Sequence, residues 1–341
     1  MSVRMPNPMH RLAAFALSVL PALLLAGCST EQYPQSAVHP RSDYARDIQK
    51  LLEQQIFWVV VIFVVVQVLL IVAVVRFRAR PGQPDPKPVH GNTALEIAWT
   101  VAPTIILAFV AVPTVMTIYK TQGAPPPDAL RVKAIGHQWW WEFQYPDLGV
   151  TTGSDMHVPV GKPVLVEIET ADVIHSFWFP AMGGKRDAIP GRTNRMFFTA
   201  DSTGEFPGQC AELCGIQHAN MKMNLFVHPP ESFDAWVADQ KALPAEPDST
   251  SLAGLGKRIY SEQACIGCHY IEGVSVGVLG PNLTKFAARK TLAGGMYENT
   301  PENLARWLRE PDKMKEGTLM LNLNLTPEQV DALVAYLQTL K

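Results

Sequence analysis

Five side chains that could bind a soft metal ion stand out in this 341-residue chain. Cys210, Cys214, His218 and Met221 lie within 12 residues, and His175 lies 35 residues upstream. Thiolates, a thioether and imidazoles together select copper or zinc over hard cations. The two cysteines and two histidines could form a tetrahedral zinc cage, so zinc is one interpretation of the pattern.

Two observations favour copper. Met221 is redundant for zinc but suits the weak axial position of a copper site. The N-terminus indicates export, as described below, and two free thiols are hard to keep outside the cytoplasm unless a metal holds them. The thiolates of Cys210 and Cys214 can bridge two copper ions, each ion taking one histidine. We therefore predict a two-copper thiolate centre that shares an electron between its ions.

A second motif, Cys265-Ile-Gly-Cys268-His269, is typical of covalent attachment of c-type heme. The two thiols add to the vinyl groups of the heme, and the following histidine is an axial ligand of the iron. A thioredoxin-like redox pair would need βαβ surroundings, and a zinc site would need a second pair of ligands at a matching spacing. The sequence pattern has neither, so we expect heme.

Composition narrows the class of protein. The formal net charge is −2, which argues against nucleic acid as a partner. Apolar residues make up 48% of the chain, and two uncharged stretches at 56–75 and 97–119 concentrate them. The five cysteines are an odd number, and each lies in a recognisable motif, so we do not expect a disulfide framework.

Each uncharged stretch is long enough to cross about 30 Å of hydrocarbon as a helix. We predict a transmembrane hairpin within residues 28–120, with helices at about 51–76 and 96–119. The loop between the helices is positively charged, which places it in the cytoplasm and the rest of the protein on the outer face. Its charged residues are Arg76, Arg78, Arg80 and Lys87, against Asp85 alone.

Residues 1–27 are typical of an export signal, with a positively charged start and an apolar run at 12–26 that is too short to span a bilayer. The run ends in Leu25-Ala26-Gly27-Cys28, which resembles a bacterial lipoprotein processing box with lipid attached to Cys28. An ordinary signal peptide that carries a cysteine is the alternative.

The exported part divides into two patterns. Residues 129–230 contain short runs with β-type alternation, separated by turn residues, which predicts an all-β sandwich or barrel. Residues 242–251, rich in Pro, Ala, Asp and Ser, are a plausible linker. Residues 252–341 have a helical pattern, with helix starts at Thr300-Pro301 and Thr326-Pro327.

The cysteine-rich segment resembles the binuclear copper (CuA) domain of cytochrome c oxidase subunit II. Asp172-Val-Ile-His175-Ser-Phe-Trp178 and Gly208-Gln-Cys210 also fit that family. The resemblance implies a cupredoxin-like Greek-key fold and a magnesium site shared with subunit I through the Glu212 carboxylate. The copper ligands it implies are His175, Cys210, Glu212 (through its backbone carbonyl), Cys214, His218 and Met221.

The resemblance extends to two further positions. The aromatic segment 136–145 is similar to the one through which electrons enter in this family, and Trp139 matches the residue that receives them. Strand alternation leads us to expect two of its three consecutive tryptophans inward and one outward near the metal. Glu96 is similar to the family's glutamate at the mouth of a proton path; alternatively, it is a helix-start acid favoured by the dipole.

Residues 252–341 resemble a class I cytochrome c domain, on the heme motif, on Gly256, and on the segment Gly280-Pro281-Asn282-Leu283. The resemblance implies that the Pro281 carbonyl orients the heme histidine His269. It also implies a methionine as sixth iron ligand, in a loop before the last helix.

Met320 is the better match for that ligand, although Leu321 stands where the family usually has proline, and Met314 is the reserve. Ligation by histidine and methionine raises the reduction potential of a heme, as a donor to an oxidase requires.

Taken together, the chain resembles subunit II of a bacterial cytochrome c oxidase that carries its own cytochrome c. The resemblance implies an inner-membrane protein with its soluble domains in the periplasm. Cytochrome c or a quinol–cytochrome c reductase would be the donor. Electrons would pass through heme c and copper to the oxygen-reducing, proton-translocating subunit I, and subunit III would be a further partner.

Two other functions are compatible with the sequence: the electron-input subunit of another heme-copper reductase, and a membrane-anchored copper-delivery protein. A quinol oxidase subunit lacks the copper ligands and is disfavoured.

Overall fold

The computed structural model describes residues 33–82, 88 and 90–341. The expected export signal, Cys28, Asp85 and Lys87 lie outside the described residues. In chain order the described part contains a helical hairpin, a β-sandwich and a small helical domain, which confirms the predicted fold class.

Two long helices form the hairpin, α1 (Asp43–Phe77) and α2 (Thr93–Thr121). Their apolar side chains are exposed, and both helices are long and apolar enough to cross a membrane. Trp58 stacks on Phe109 with ring centroids 5.8 Å apart, and the Gln54 side chain donates to the Phe109 carbonyl. These contacts hold the two helices side by side.

Helix α1 begins at Asp43 rather than at about residue 51, because its first turns lie on the β-sandwich instead of in the apolar span. The Asp43 carboxylate accepts a hydrogen bond from the Thr199 amide at 2.7 Å. The Ser42 hydroxyl caps the helix and donates to the Met182 carbonyl. An ion pair between Arg46 and Asp201 adds to this contact, so the hairpin is anchored to the sandwich.

The sandwich consists of two five-stranded sheets in the orders β3-β2-β1-β5-β8 and β4-β10-β9-β6-β7. The pairs β1–β5 and β4–β10 are parallel and the others antiparallel. Alternate residues such as Val164, Val166 and Ile168 are fully buried between the sheets. The strands are β1 Leu130–His137, β2 Trp140–Tyr145, β3 Val150–Gly153, β4 Asp155–Pro159, β5 Pro163–Thr170, β6 His175–Trp178, β7 Arg186–Ala188, β8 Asn194–Thr199, β9 Gly204–Cys210 and β10 Lys222–His228.

Helix α3 (Pro230–Lys241) follows the sandwich and packs on it through Phe233 and Trp236. Trp236 lies edge-on to Tyr145 with ring centroids 5.4 Å apart. The packed unit therefore extends beyond residue 230, where the strand pattern ends, because the helix contributes two aromatic rings to the core.

The C-terminal domain packs its first helix against its last. A Cβ on Gly256 of the first helix would lie 1.9 Å from the Ala332 carbonyl oxygen of the last, so only glycine permits this crossing. Thr300 and Thr326 cap helices at the predicted starts. The elements are α4 Leu252–Glu262, α5 Cys265–Cys268, β11 Tyr270–Ile271, β12 Ser275–Val276, β13 Thr291–Leu292, β14 Tyr297–Glu298, α6 Pro301–Arg309, α7 Pro311–Met314 and α8 Pro327–Leu337.

Candidate metal centres

The soft ligands predicted from the sequence meet at one end of the second sheet. His175 is the first residue of β6 and Cys210 the last of β9, and these two strands are paired. His218 opens a short 3-10 helix, and Met221 directly precedes β10. The sheet thus brings His175 to a loop from which it is separated by 35 residues.

Each sulfur of this loop faces its own histidine. The Sγ atoms of Cys210 and Cys214 are 3.8 Å apart. His175 Nδ1 lies 3.8 Å from the Cys210 sulfur, and His218 Nδ1 lies 3.7 Å from the Cys214 sulfur. The Met221 sulfur lies 3.9 Å from that of Cys214.

This arrangement fits two metal positions better than one. In a tetrahedral zinc site with bonds of about 2.0–2.3 Å, all four donor atoms lie within about 4 Å of one another. Among the described residues, the donor atoms of His175, Cys210 and Cys214 lie within 4.8 Å of one another, and His218 is outside that set. The two histidines therefore flank the thiol pair from different sides.

His175 is oriented by contacts beyond the loop. Its Nε2 lies 2.7 Å from a carboxylate oxygen of Asp172, which leaves Nδ1 facing the Cys210 sulfur. Burial opposes protonation of the ring, but the hydrogen bonds from Asp172 and Cys210 raise the pKa of His175 overall. A Cβ on Gly136 would lie 2.7 Å from the ring, so glycine is needed in β1 for this approach.

The thiol pair has the electrostatics of a bridging site. Hydrogen bonding with Cys214 and then with His175 lowers the pKa of Cys210, although burial opposes the shift. The resulting thiolate raises the pKa of Cys214, with burial adding to the effect. One thiolate forms readily, and the second needs additional positive charge beside it, which a bound metal cation would supply.

Trp139 is attached to this loop by its indole. The Nε1 of Trp139 and the side-chain amide of Gln138 both donate to the Cys214 carbonyl, at 3.0 and 2.8 Å. As expected, two of the three tryptophans pack inward: Trp141 is fully buried and the half-buried Trp139 packs against the core. The one near the metal loop was expected to point outward, but it is Trp139 rather than Trp140. Trp139 precedes strand β2, so the strand alternation does not fix its position.

The heme-attachment residues lie on a single helical turn, α5, with His269 directly after it. His269 Nδ1 lies 2.9 Å from the Pro281 carbonyl oxygen, which leaves Nε2 as the nitrogen able to bind iron. A Cβ on Gly280 would lie 2.5 Å from the imidazole, so glycine allows the ring to pack there. Burial lowers the pKa of His269, which favours the neutral ligand form.

Two hydroxyl groups fix the backbone of this histidine; Tyr260 is one of the residues in which the sequence resembles a class I cytochrome c, whereas Ser275 was not predicted. Ser275 Oγ donates to the His269 carbonyl at 2.7 Å, and Tyr260 Oη lies 3.1 Å from the same oxygen. Met320 is half-buried at the edge of the domain core, whereas Met314 is buried. Large apolar side chains that a heme could cover are exposed next to these residues in the chain: Val276, Val278, Leu279, Leu319 and Leu321.

Two other residues predicted from the sequence are Glu96, in the helical hairpin, and Glu212, in the copper-ligand loop. The Glu96 carboxylate accepts a hydrogen bond from the amide of Asn92, the residue that caps α2, so it has the helix-start contact expected for an acid there. The Glu212 carbonyl oxygen lies 3.4 Å from the Cys210 sulfur, and its carboxylate pairs with Lys185 at 3.1 Å.

A membrane hairpin, a cupredoxin-like sandwich with a dithiolate metal site and a c-type cytochrome domain together define a membrane-anchored electron-transfer subunit. Family models agree along the chain: "Cytochrome C oxidase subunit II, transmembrane domain" matches residues 30–116, its periplasmic domain matches 148–227, and "Cytochrome c" matches 253–341. The chain belongs to the cytochrome c oxidase subunit II family.

The relatives match over almost their full lengths. Cytochrome c oxidase subunit 2 of Alkalihalophilus pseudofirmus is 40% identical over 326 residues, covering 94% of both chains. The same subunit of Bacillus subtilis is 34% identical over 347 aligned positions, covering 95% of this chain and 96% of the relative. The solved periplasmic domain of cytochrome oxidase subunit II of Bradyrhizobium japonicum is 41% identical, covering 35% of this chain and 97% of that domain, with a TM-score of 0.34.

Membership of the cytochrome c oxidase subunit II family defines the broad function of this chain. The protein is the subunit of a respiratory terminal oxidase through which electrons enter, it is anchored in a membrane, and it works within a heme-copper oxidase complex. Its cofactors are copper and heme.

Proposed function

We propose that electrons reach this subunit at its own cytochrome domain and pass from there to the thiolate pair beside Trp139. The two sulfurs 3.8 Å apart, each with its own histidine nitrogen, are the observation on which this proposal depends. When bound, a copper pair and a c-type heme each accept and release single electrons without further chemistry on the protein. The protein's part is to hold the ligands rigidly and at a fixed separation.

Six residues would hold the copper pair. The thiolates of Cys210 and Cys214 would be shared by the two ions, and His175 and His218 would each bind on one side. The other two copper ligands, Met221 through its thioether and Glu212 through its carbonyl, are proposed because both lie close to the cysteine sulfurs. At the heme iron, His269 would bind through Nε2, because its Nδ1 is occupied by the Pro281 carbonyl. Cys265 and Cys268 would carry the heme covalently, and Met320 is the proposed sixth ligand because it lies on the half-exposed loop before α8.

The cytochrome domain covers Trp139. A Cβ on Gly317 would lie 3.8 Å from the indole, and the Lys315 ammonium donates to the Trp139 carbonyl at 2.8 Å. Trp139, hydrogen-bonded to Cys214, therefore stands between the cytochrome domain and the copper ligands. We propose that an external donor, a cytochrome c or a quinol–cytochrome c reductase, docks on the cytochrome domain.

The other face of the copper loop is suited to a partner. Leu213 at the tip of the loop is 76% exposed, and Val173 and Ile174 beside His175 are exposed as well. An exposed apolar group next to a redox centre is a typical contact for a permanent partner. We propose that oxidase subunit I covers it, with a magnesium ion at the Glu212 carboxylate, and that subunit III completes the complex.

Orientation follows from the hairpin. Both helix ends next to the sandwich, Asp43 and Thr121, lie on the side of the redox domains, and the arginines 76, 78 and 80 lie at the other end. The positive-inside rule supports placing these arginines in the cytoplasm of a bacterial inner membrane and the redox domains in the periplasm. For Glu96, at the cytoplasmic end, the capping contact favours a structural role, and the mouth of a proton path is the second proposal.

The test is purification of the complex from membranes, followed by optical and paramagnetic resonance spectroscopy. We expect a mixed-valence copper signal, low-spin heme c and an associated heme-copper subunit in one preparation. Reduction by a donor should appear at heme c before copper. A protein that binds one Zn²⁺ and gives no mixed-valence signal would contradict the proposal, and purification without an oxidase partner would favour copper delivery.

A further inference from the structure

The contact between the copper-ligand loop and the cytochrome domain is built around one buried lysine. Lys315 follows α7 and is 3% exposed, although lysine is among the residues least often buried. Its ammonium donates to three backbone carbonyls: Trp139 at 2.8 Å, Asn220 at 3.2 Å and Ala293 at 2.8 Å. The first two belong to the sandwich and the third to the cytochrome domain itself.

The two sandwich carbonyls lie at the copper site. Asn220 directly precedes the ligand Met221, and Trp139 donates its indole N–H to the carbonyl of the ligand Cys214. Lys315 therefore contacts the ligand loop directly at Asn220 and indirectly, through Trp139, at Cys214. Burial lowers the pKa of Lys315 to about 7, which reflects the cost of holding a cation there. The carbonyl contacts offset this cost only while the two domains stay together.

Neighbouring contacts tighten the same junction. The buried side chain of Gln217, also in the ligand loop, donates to the Glu316 carbonyl at 2.9 Å. The Lys222 amide donates to the Gly294 carbonyl at 2.9 Å. Gly317 has a positive φ of 71°, and a Cβ there would lie 2.6 Å from Ile216 of the loop. Residues 315–317 thus form a docking segment against the copper-ligand loop, and residues 293–294 support it.

The docking segment also continues into the heme site. Met320, the proposed iron ligand, lies only five residues after Lys315 in the same loop. One short stretch of chain therefore contacts the copper-ligand loop at its start and carries the proposed heme ligand at its end.

We propose that Lys315 is a positioning residue that locks the cytochrome domain onto the copper-ligand loop and so fixes the path of electrons between heme and copper. The inference rests on the proposed order of electron flow. Lys315 itself would contact neither cofactor. Lys315 would instead fix the distance between the heme site and the copper site and restrict their relative motion.

The experiment uses the purified oxidase complex with Lys315→Met, which keeps the length of the side chain and removes the ammonium. Lys313→Met is the matched control, because Lys313 is exposed and pairs with Glu310, three residues before it. Heme-to-copper electron transfer is followed after rapid photoreduction of the heme. Hydrogen exchange is measured at the Lys222 amide, whose acceptor is Gly294.

We expect K315M to slow internal electron transfer about tenfold or more, since misplacement of about 1 Å between reacting groups is costly. The Lys222 amide should exchange faster, while the copper and heme spectra stay unchanged. The turnover number should fall with no change in KM for the external donor, which docks elsewhere. K313M should match the wild type, and Lys315→Arg, which keeps the cation, should recover at least part of the rate.

An internal rate within twofold of the wild type in K315M would overturn the proposal. So would loss of the copper spectrum in both K315M and the milder Lys315→Gln, since that would assign Lys315 to folding rather than positioning. If the wild type itself shows no heme-to-copper electron transfer, the proposed electron path is wrong. That outcome differs from a normal wild-type rate that K315M leaves unchanged, which would reject only the role of Lys315.

Discussion

The indole N–H of Trp139 donates to the backbone carbonyl of Cys214 at 3.0 Å, so an aromatic ring at the domain junction is hydrogen-bonded to a proposed copper ligand. Gln138 donates to the same carbonyl at 2.8 Å and would keep it satisfied without the indole. Trp139 can therefore be replaced with little effect on the ligand geometry, which separates its role in electron passage from any structural role.

Trp139→Leu should slow electron transfer into the copper site by about tenfold or more, equivalent to about 1.4 kcal/mol of activation free energy. The measurement is the rate of copper reduction after the donor is mixed or photoreduced, together with the copper optical spectrum, which should not change. Trp140→Leu is the control, since Trp140 stacks on His137 rather than bonding to the ligand loop. An unchanged rate in W139L contradicts the role of Trp139.

Asp172→Asn should weaken copper binding by about 10- to 100-fold, the usual effect of removing a carboxylate that orients a ligating histidine. The carboxylate fixes Nε2 of His175 and raises the pKa of that ring. Copper titration followed by absorption gives the affinity. Asp248→Asn, an exposed carboxylate in the linker, should leave it unchanged; equal affinities for the two variants would refute the orienting role.

Asp155 should make the stability of the protein depend on pH. Burial raises the pKa of Asp155 from 3.8 to about 6; Glu205 adds to this, while the Asn224 hydrogen bond, Arg289 and Lys290 oppose it. A carboxyl whose folded pKa exceeds its unfolded pKa favours folding most when protonated. Its contribution is therefore lost as pH rises from about 4 through about 6.

Asp155→Asn should accordingly stabilise the protein by about 2–3 kcal/mol at pH 8 and by less at pH 5. Thermal or denaturant unfolding at the two pH values measures the difference. Asp234→Asn, exposed on α3, is the control and should show no such pH-dependent gain. Destabilisation of D155N at pH 8 would mean that its attraction to Arg289 outweighs the cost of burial.

Met320→Ala should abolish the sulfur-to-iron absorption band of the ferric heme and lower its potential, since loss of the thioether removes the ligand that raises it. Met314→Ala is the matched comparison and should keep the band, because Met314 is buried beside the docking segment and its carbonyl accepts from Tyr297. The opposite pattern would reassign the sixth ligand to Met314.

Much of the site was predictable because its chemistry is local in the chain. Cys210, Cys214, His218 and Met221 fall within one loop, and the heme motif fits within one helical turn. Helix starts at Thr300 and Thr326 were predictable for the same reason, since a cap and the following proline act within one turn. The two apolar spans follow from the thickness of a bilayer.

The parts that could not be predicted depend on contacts between distant residues. The early start of α1 at Asp43 is stabilised by Thr199, and Trp139 rather than Trp140 lies beside the metal loop because it hydrogen-bonds to Cys214. The lysine at position 315 resembles any surface lysine in its local sequence. Only the packing of two domains gives it three carbonyl partners, one of them 176 residues away.

Sequence alone determined which chemistry this protein performs, because metal and heme ligands are specified by residue type and by spacings of a few residues. The tertiary structure decided how the two redox sites meet: which histidine faces which sulfur, and which segment of the cytochrome domain covers the copper loop. The physical reason is that such contacts follow from the packing of whole domains, in which residues far apart in the chain share one buried junction.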